Sequence, residues 1–247
     1  MYKFERSLEV GRIISRPNRF IMRVRKGRDE FICHCPSTGK IGNISPDNLP
    51  CLLSKSSDPK RKTAYTVEAL APDGEEYWVG INQNAVNRYV EYFFKNGRFD
   101  RITTDGPNIL REQKVGNSKL DFKVGNMYIE VKMPLMYLPC AVTDAPLPKR
   151  NDTYFERFTR HVTDMGNILK NRENAAMLLC FMYDAPPFTV PKPRDNGQTL
   201  RVAEAVYKSV DAGVRMWQVN MSITVDGVNL LSYRDITEIF FEKNAKN

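Results

Sequence analysis

The sequence predicts a two-domain α/β (α+β) chain, with a small β-barrel over residues 1–83 and an α/β domain over residues 84–247. Three observations predict this. Residues 5–82 break into short strand-like runs separated by turn residues, the pattern of a small barrel. From residue 118 onward the pattern becomes strand hairpin, helix, buried strand, helix, strand, which is an α/β order. The charge divides as well: residues 1–62 hold 14 Lys or Arg against 6 Asp or Glu, whereas residues 63–247 hold 23 of each. A length of 247 residues suits two domains, and 42% apolar against 27% charged residues excludes compositional disorder.

In the barrel, Phe20 to Val24 and Glu30 to Cys33 flank Lys26-Gly27, which reads as a hairpin turn. Leu49 to Ser54, Ala64 to Leu70 and Tyr77 to Ile81 supply the other strands. Asn84 to Lys95 has helical spacing, with Val86, Tyr89, Val90 and Phe93 on one face, and Asn96-Gly97 stops it. A hairpin spans residues 118–132, and a helix runs from Asp152, an N-cap residue, to about Asn171. Ala175 to Tyr183 is a continuous apolar run and reads as a strand buried on both faces. Residues 185–198 contain four prolines and form a surface loop, followed by a helix over 199–211 and a strand from Val214 to Thr224.

Several function classes drop out. No apolar run is long enough to span a bilayer, so no membrane partner is expected. The charged start, Met1 to Arg6, has no apolar segment behind it and predicts no secretory signal. Five cysteines, an odd number, point to a reducing compartment and a cytoplasmic protein. Cys33 and Cys35 alternate with His34 along a strand, which turns His34 away from both and disfavours a zinc site. Neither a phosphate loop nor a dinucleotide fingerprint occurs, so no small-molecule organic cofactor is expected. With only two histidines, no Ser/His/Asp or Cys/His set is suggested.

The basic excess in the first quarter of the chain suits a phosphate polymer. It is densest at Arg23 to Arg28 and at Lys60-Arg61-Lys62. Arg19-Phe20, and Tyr65 beside Lys60 to Lys62, mix aromatic with basic residues, as barrels that bind single strands do. Phe20 nonetheless reads first as a core residue. The Pro36-to-Gly39 turn, with Ser37, Thr38 and neighbouring His34, can cradle a phosphate on its backbone N–H groups.

The hairpin at 118–132 is the most informative segment. Gly125-Asn126 is a two-residue turn, and it places Val124 opposite Met127. Leu120, Phe122, Val124, Met127, Ile129 and Val131 then share one face, the core. The other face carries Lys119, Asp121, Lys123, Tyr128, Glu130 and Lys132, with Asp121 opposite Glu130. Facing Cβ atoms lie about 5 Å apart, where like charges repel unless something is shared between them. Two such carboxylates can share Mg²⁺ or Mn²⁺. Lys132 can then hold a water nucleophile or offset charge developing on phosphate. Glu112 is a further carboxylate within reach in sequence. Arg157 and His161, four apart on one helix face, suit phosphate or the site.

Asp121 followed by Glu130-Val131-Lys132 resembles the PD-(D/E)xK signature of restriction-endonuclease-like nucleases. Arg19-Phe20, His34 to Gly39, Lys60 to Lys62, Asn82 to Asn87, and Glu156-Arg157 with His161 occur in an order that resembles the sugar fermentation stimulation protein A family over residues 10–225. The resemblance implies an oligonucleotide-binding (OB-like) barrel followed by a restriction-endonuclease-like domain. It also implies non-specific DNA binding and a suspected nuclease activity. Ser37, Thr159 and Arg160 depart from the family's usual Asn, Gln and Lys.

Two readings follow. In the first, the chain is a metal-dependent deoxyribonuclease: Asp121 and Glu130 are metal ligands, Glu112 assists, and Lys132 handles the water. Arg19, His34, Ser37, Thr38, Lys60, Arg61, Lys62, Arg157 and His161 hold nucleic acid. In the second, the chain is a non-catalytic DNA-binding regulator that keeps the nuclease fold. A third, adaptor reading rests on an apolar stripe of Ile236, Ile239 and Phe240 in the tail, although packing of that stripe on the chain's own core is the favoured expectation.

Overall fold

The structure is a computed structural model that describes residues 1–37, 39–42, 44–105, 108–135, 138, 152–169, 173–190 and 197–241, without side chains at 152–155. The barrel consists of β2 (Glu9–Asn18), β3 (Ile21–Lys26), β4 (Asp29–His34), β5 (Pro50–Lys55) and β6 (Tyr65–Leu70). These run side by side in the order β4-β3-β2-β5-β6, and a parallel pairing of Cys33 with Tyr65 and His34 with Thr66 closes the ring. Inward residues Ile13, Met22, Val24, Cys33, Leu52, Leu53 and Val67 are fully buried, which removes apolar surface from water along every strand. The β3–β4 turn is Gly27-Arg28, one residue later than the sequence suggests, with Gly27 in the left-handed region that a tight turn needs. A short strand, β7 (Val79–Gly80), extends β6.

The second sheet holds β1 (Tyr2–Lys3), β8 (Ile109–Val115), β9 (Ser118–Val124), β10 (Met127–Lys132), β11 (Asn174–Phe181), β12 (Arg215–Ile223) and β13 (Gly227–Asp235). Its order is β1-β13-β12-β11-β10-β9-β8, with β10–β11 and β11–β12 parallel. The helices are α1 (Val86–Lys95), α2 (Asp152–Ile168) and α3 (Gly197–Asp211). α2 and α3 are the crossovers that parallel pairing requires.

The continuous apolar run at β11 now has its reason. Ala175, Met177, Leu179 and Phe181 pack in a cluster with α2 and α3, while Ala176, Leu178 and Cys180 pack in a second cluster with α1 and the barrel. The sheet is therefore covered on both faces. The barrel interior, α1 and one sheet face form a single core, so the two domains are joined by apolar packing as well as by chain.

Four expectations are corrected. Residues 1–83 are not all barrel: Tyr2 and Lys3 pair with Val228 and Gly227 at the edge of the second sheet, because the chain runs past β13 before it enters β2. Strands β1, β2, β8 and β13 go beyond the named strand candidates. The adaptor stripe is not presented to a partner: Ile236 and Phe240 are buried on the chain's own core, as favoured from the sequence, around a 3₁₀ turn, Thr237–Phe240. Phe20 is 44% exposed, with the Arg19 guanidinium 4.6 Å from its ring centre, so it is not a core residue. Among the described residues, no helix is long and apolar enough to cross a membrane.

Gly80 sits at a close approach of the barrel to the segment after β11. Its N–H donates to Met182 O at 3.1 Å, and a Cβ there would lie 2.7 Å from Met182 Cβ. Gly80→Ala is expected to destabilise the protein by about 1–3 kcal/mol in urea unfolding, through overpacking of a seam whose backbone cannot retreat.

Candidate functional site

The hairpin register is as the turn requires, with Val124 opposite Met127 and Phe122 opposite Ile129. The next facing pair is Asp121 and Glu130, and there the ladder stops. On the other side of β9 the regular pairing skips Asp121 as well, because Glu112 of β8 sits in the left-handed region at φ 54°. Asp121 is thus unpaired by backbone on both sides. Its carboxylate takes over a ladder role: Val131 N–H donates to Asp121 Oδ2 at 2.8 Å. Asn87 of α1 donates to Asp121 Oδ1 at 2.8 Å.

The break also changes the facing pattern. Phe122, Val124, Ile129 and Val131 stay in the barrel-side core, as alternation predicts, but Leu120 crosses to the helix-side cluster with Val162 and Met165. While Lys119 at its far end stays exposed, the polar face is not a solvated one around Glu130. α2 covers it, leaving Glu130 only 2% exposed.

Glu130 Oε1 takes two partners, Lys132 Nζ and the Nδ1 of His161, the latter at 2.6 Å. Among the described residues Glu130 Oε2 is buried and has no hydrogen-bond partner, a costly state for a carboxylate oxygen. The Lys132 ammonium lies 6.0 Å from the centre of the Phe158 ring. Asp121, Glu130, Lys132, His161 and Asn87 therefore form one half-closed cluster between α1 and α2.

Two sequence expectations change here. Glu112 does not join the acidic pair: its left-handed backbone turns the side chain to solvent, where it is 71% exposed and bonded to Lys119 at 2.6 Å. His161, expected at phosphate or at the site, lies at the site, buried against Glu130 and not open to phosphate, while Arg157 one turn earlier is exposed. Asn87 had no chemical signal of its own in the sequence, because its role depends on a contact made across 34 residues.

The barrel residues divide similarly. Lys60, Arg61 and Lys62 are exposed on the β5–β6 loop, and none of them or Arg19 is in an ion pair among the described residues. Arg23 and Arg25 share Glu30, and Lys26 is bonded to Glu9 and Tyr65, so part of the basic run is neutralised within the barrel. His34 is half-buried on β4; burial first, then the Arg61 charge, pushes its pKa down against the pull of Glu68. Ser37 is buried, with its hydroxyl donating to Ile81 O at 2.5 Å, so it faces the domain seam and not a ligand. Thr38 lies outside the described residues. Cys33 and Cys35 point inward while His34 points outward, as the alternation requires.

A divalent cation would find oxygen donors here. Glu130 Oε2 lacks a partner and each Asp121 oxygen has accepted only one hydrogen bond, so lone pairs remain for a hard ion. Among the described residues no group of three His, Cys, Asp or Glu side chains surrounds a common point, so water or a phosphate oxygen would supply the other ligands.

The charge on the two acids is uneven. Burial, then the Glu130 charge, pushes the Asp121 carboxyl up to about 6, against Val131 N–H, Asn87 and Lys132. Burial pushes Glu130 up too, but the hydrogen bond from His161 and the Lys132 charge outweigh it and hold Glu130 below the usual carboxylate range. An acid with a raised folded pKa takes up a proton more readily when folded, so Asp121 adds stability as pH falls toward 4 and loses it as pH climbs through 6. Asp121→Asn is expected to flatten the unfolding free energy between about pH 7 and about pH 4.5 by about 2 kcal/mol, read from urea titrations across that range.

The chain matches two domain families end to end: residues 14–81 match the SfsA N-terminal OB domain, and residues 84–227 the sugar fermentation stimulation protein RE domain. It is 30% identical, over 95% of both chains, to the sugar fermentation stimulation protein homolog of Synechococcus sp. (strain JA-2-3B'a(2-13)). It is 27% identical to the homolog of Clostridium perfringens (strain 13 / Type A), over 90% of this chain and 94% of that one. The solved structure of Pyrococcus furiosus SfsA, in complex with Ca²⁺, has the same fold at a TM-score of 0.69 and 18% identity, over 94% of this chain and 97% of that one. The fold, an OB barrel leading into a mixed α/β sheet, and the matches over nearly the whole length place this chain in the sugar fermentation stimulation protein family.

Proposed function

We propose that the protein binds DNA and hydrolyses its phosphodiester bonds with the help of a divalent cation, Mg²⁺ or Mn²⁺. One observation carries the reading: Asp121 and Glu130 are brought together where the ladder breaks, and Glu130 Oε2 is buried without a partner among the described residues. Burying two acids in this way costs stability, and a fold tolerates it where the charge is used. The Ca²⁺ bound by Pyrococcus furiosus SfsA, a hard oxygen-seeking ion, is consistent with such a site.

Asp121 and Glu130 would hold the cation, which when bound polarises a phosphoryl oxygen and lowers the pKa of a water ligand. The chain's own residues supply the rest. His161 holds Glu130 Oε1 and keeps water from one side of the carboxylate. Lys132, a quarter exposed at the site's rim, can orient the attacking water and offset charge growing on the phosphoryl group. Asp121 must be ionised to bind a cation, so its raised pKa limits activity at acid pH.

DNA would lie on the barrel. In an OB barrel, oligonucleotides contact the second and third strands and the loops joining strands one to two and four to five. Here these are β3 and β4, the Arg19-Phe20 turn, and the Lys60-to-Lys62 loop. Exposed Phe20 under Arg19 suits base stacking, and the unpaired cations suit phosphates.

A second reading, a DNA-binding regulator without catalysis, draws on one observation. Lys132 and His161 both engage the same oxygen of Glu130, and the cluster as folded is partly self-neutralised. The two readings separate on plasmid cleavage with Mg²⁺, Mn²⁺ or chelator. Asp121→Ala and Lys132→Ala are each expected to lower metal-dependent cleavage by about a hundredfold or more while DNA binding persists. Salt-sensitive binding with no cleavage by the wild-type protein would establish the regulator. Replacing Lys60, Arg61 and Lys62 together by Ala is expected to reduce the slope of log affinity against log salt by about 2–3, measured by anisotropy on a labelled duplex.

A further inference from the structure

Asp121 has two hydrogen-bond donors, and they come from different parts of the molecule. Val131 N–H belongs to the adjacent strand of its own hairpin. Asn87 comes from the first turn of α1, on the opposite side of the site from α2. The segment leading into α1 is tied to the barrel at several points. Ser37 Oγ donates to Ile81 O at 2.5 Å, and Arg16 in turn donates to Ser37 O at 2.6 Å. Asn82 Nδ2 donates at 2.7 Å to Glu68, a buried acid of β6 that also accepts from Ser54 Oγ at 2.6 Å. Asn82 Oδ1 meanwhile accepts from the N–H groups of Asn84 and Ala85, an Asx turn that sets the direction of the helix. Gln83 then reaches across to Met133 O, one residue beyond Lys132.

We infer that Asn87 is a positioning residue for the Asp121 carboxylate, and that the barrel, through Glu68 and Asn82, sets where Asn87 stands. The inference rests on the reading of Asp121 as a ligand for a divalent cation. Asn87 fixes the rotation of a carboxylate that no backbone ladder holds and fills one lone pair on Oδ1, leaving the others facing the cluster. Its side-chain amide is neutral, so it orients Asp121 without competing as a counter-charge, unlike Lys132 at Glu130. Asn87→Ala and Asn87→Leu both remove the donor but differ in bulk, so an effect common to the two is that of the lost hydrogen bond.

The experiment is calorimetric titration of the full chain with Mn²⁺ alone, for wild type, Asn87→Ala, Asn87→Leu, Asn82→Ala, and Arg88→Ala as a control on the exposed side of the same helix turn. Thermal melts accompany each variant. Both Asn87 variants are expected to bind Mn²⁺ about 10- to 100-fold more weakly while each keeps a single cooperative melt. Asn82→Ala is expected to weaken binding in the same direction by a smaller factor, and Arg88→Ala to leave it unchanged. Wild-type Mn²⁺ affinity in both Asn87 variants would overturn the inference while leaving the cation reading intact. Wild-type affinity in Asn82→Ala alone would overturn the barrel's part in it. No Mn²⁺ binding by the wild-type protein would overturn the cation reading itself and this inference with it.

Discussion

A backbone N–H that would ordinarily bond to a carbonyl across a β-ladder donates instead to a side chain: Val131 N–H to Asp121 Oδ2. Much of the site depends on that exchange. With the ladder released on both sides of Asp121, the strand changes face, Leu120 packs with the helices and Phe122 with the barrel. The carboxylate is free to meet Asn87 on one side and Glu130 on the other. Glu112, opposite the break, absorbs the irregularity in a left-handed backbone that few non-glycine residues adopt, and loses access to the site in doing so. The acidic pair and the missing ladder bonds are two aspects of one local distortion.

The two carboxylates then divide in character. Glu130 is deeply buried yet kept ionised by Lys132 and His161, while Asp121, with neutral donors only at hydrogen-bond distance, is pushed up to about 6. Environment, not residue type, separates them. A pair with spread pKa values is the arrangement expected where one acid must stay charged and the other must respond to what binds beside it.

The hairpin was readable from sequence because a two-residue turn fixes register, and register fixes which side chains face each other. The strands flanking Gly27 and the buried β11 were readable for similar reasons: a turn residue, and an unbroken apolar run of the right length. What escaped was tertiary. β8 is a polar edge strand, β13 lacks clean alternation, and β1 is two residues long, so none has a periodic signal. His161 showed its helix but not its partner, since a helical face can meet solvent or a strand and the spacing is the same for both. Ser37 looked like part of a phosphate cradle because the seam it closes with Ile81 lies 44 residues away. In the basic run, Arg23, Arg25 and Lys26 were counted as free charge, but their acids, Glu30 and Glu9, came from neighbouring strands.

β1 has a consequence for how the chain acquires its shape. Tyr2 pairs with Val228, so the first strand finds its partner only after more than two hundred residues have intervened. On a ribosome, β1 emerges long before the strand it must join exists. Loop closure over such a span is entropically slow relative to local hairpins, though its free-energy cost grows only with the logarithm of length. The barrel's own strands are near one another in sequence and can assemble early, leaving the leading residues unsatisfied until the sheet is complete. Docking of β1 is then a late event that reports whether the sheet has been completed, much as a clasp closes only after the object it fastens has been made.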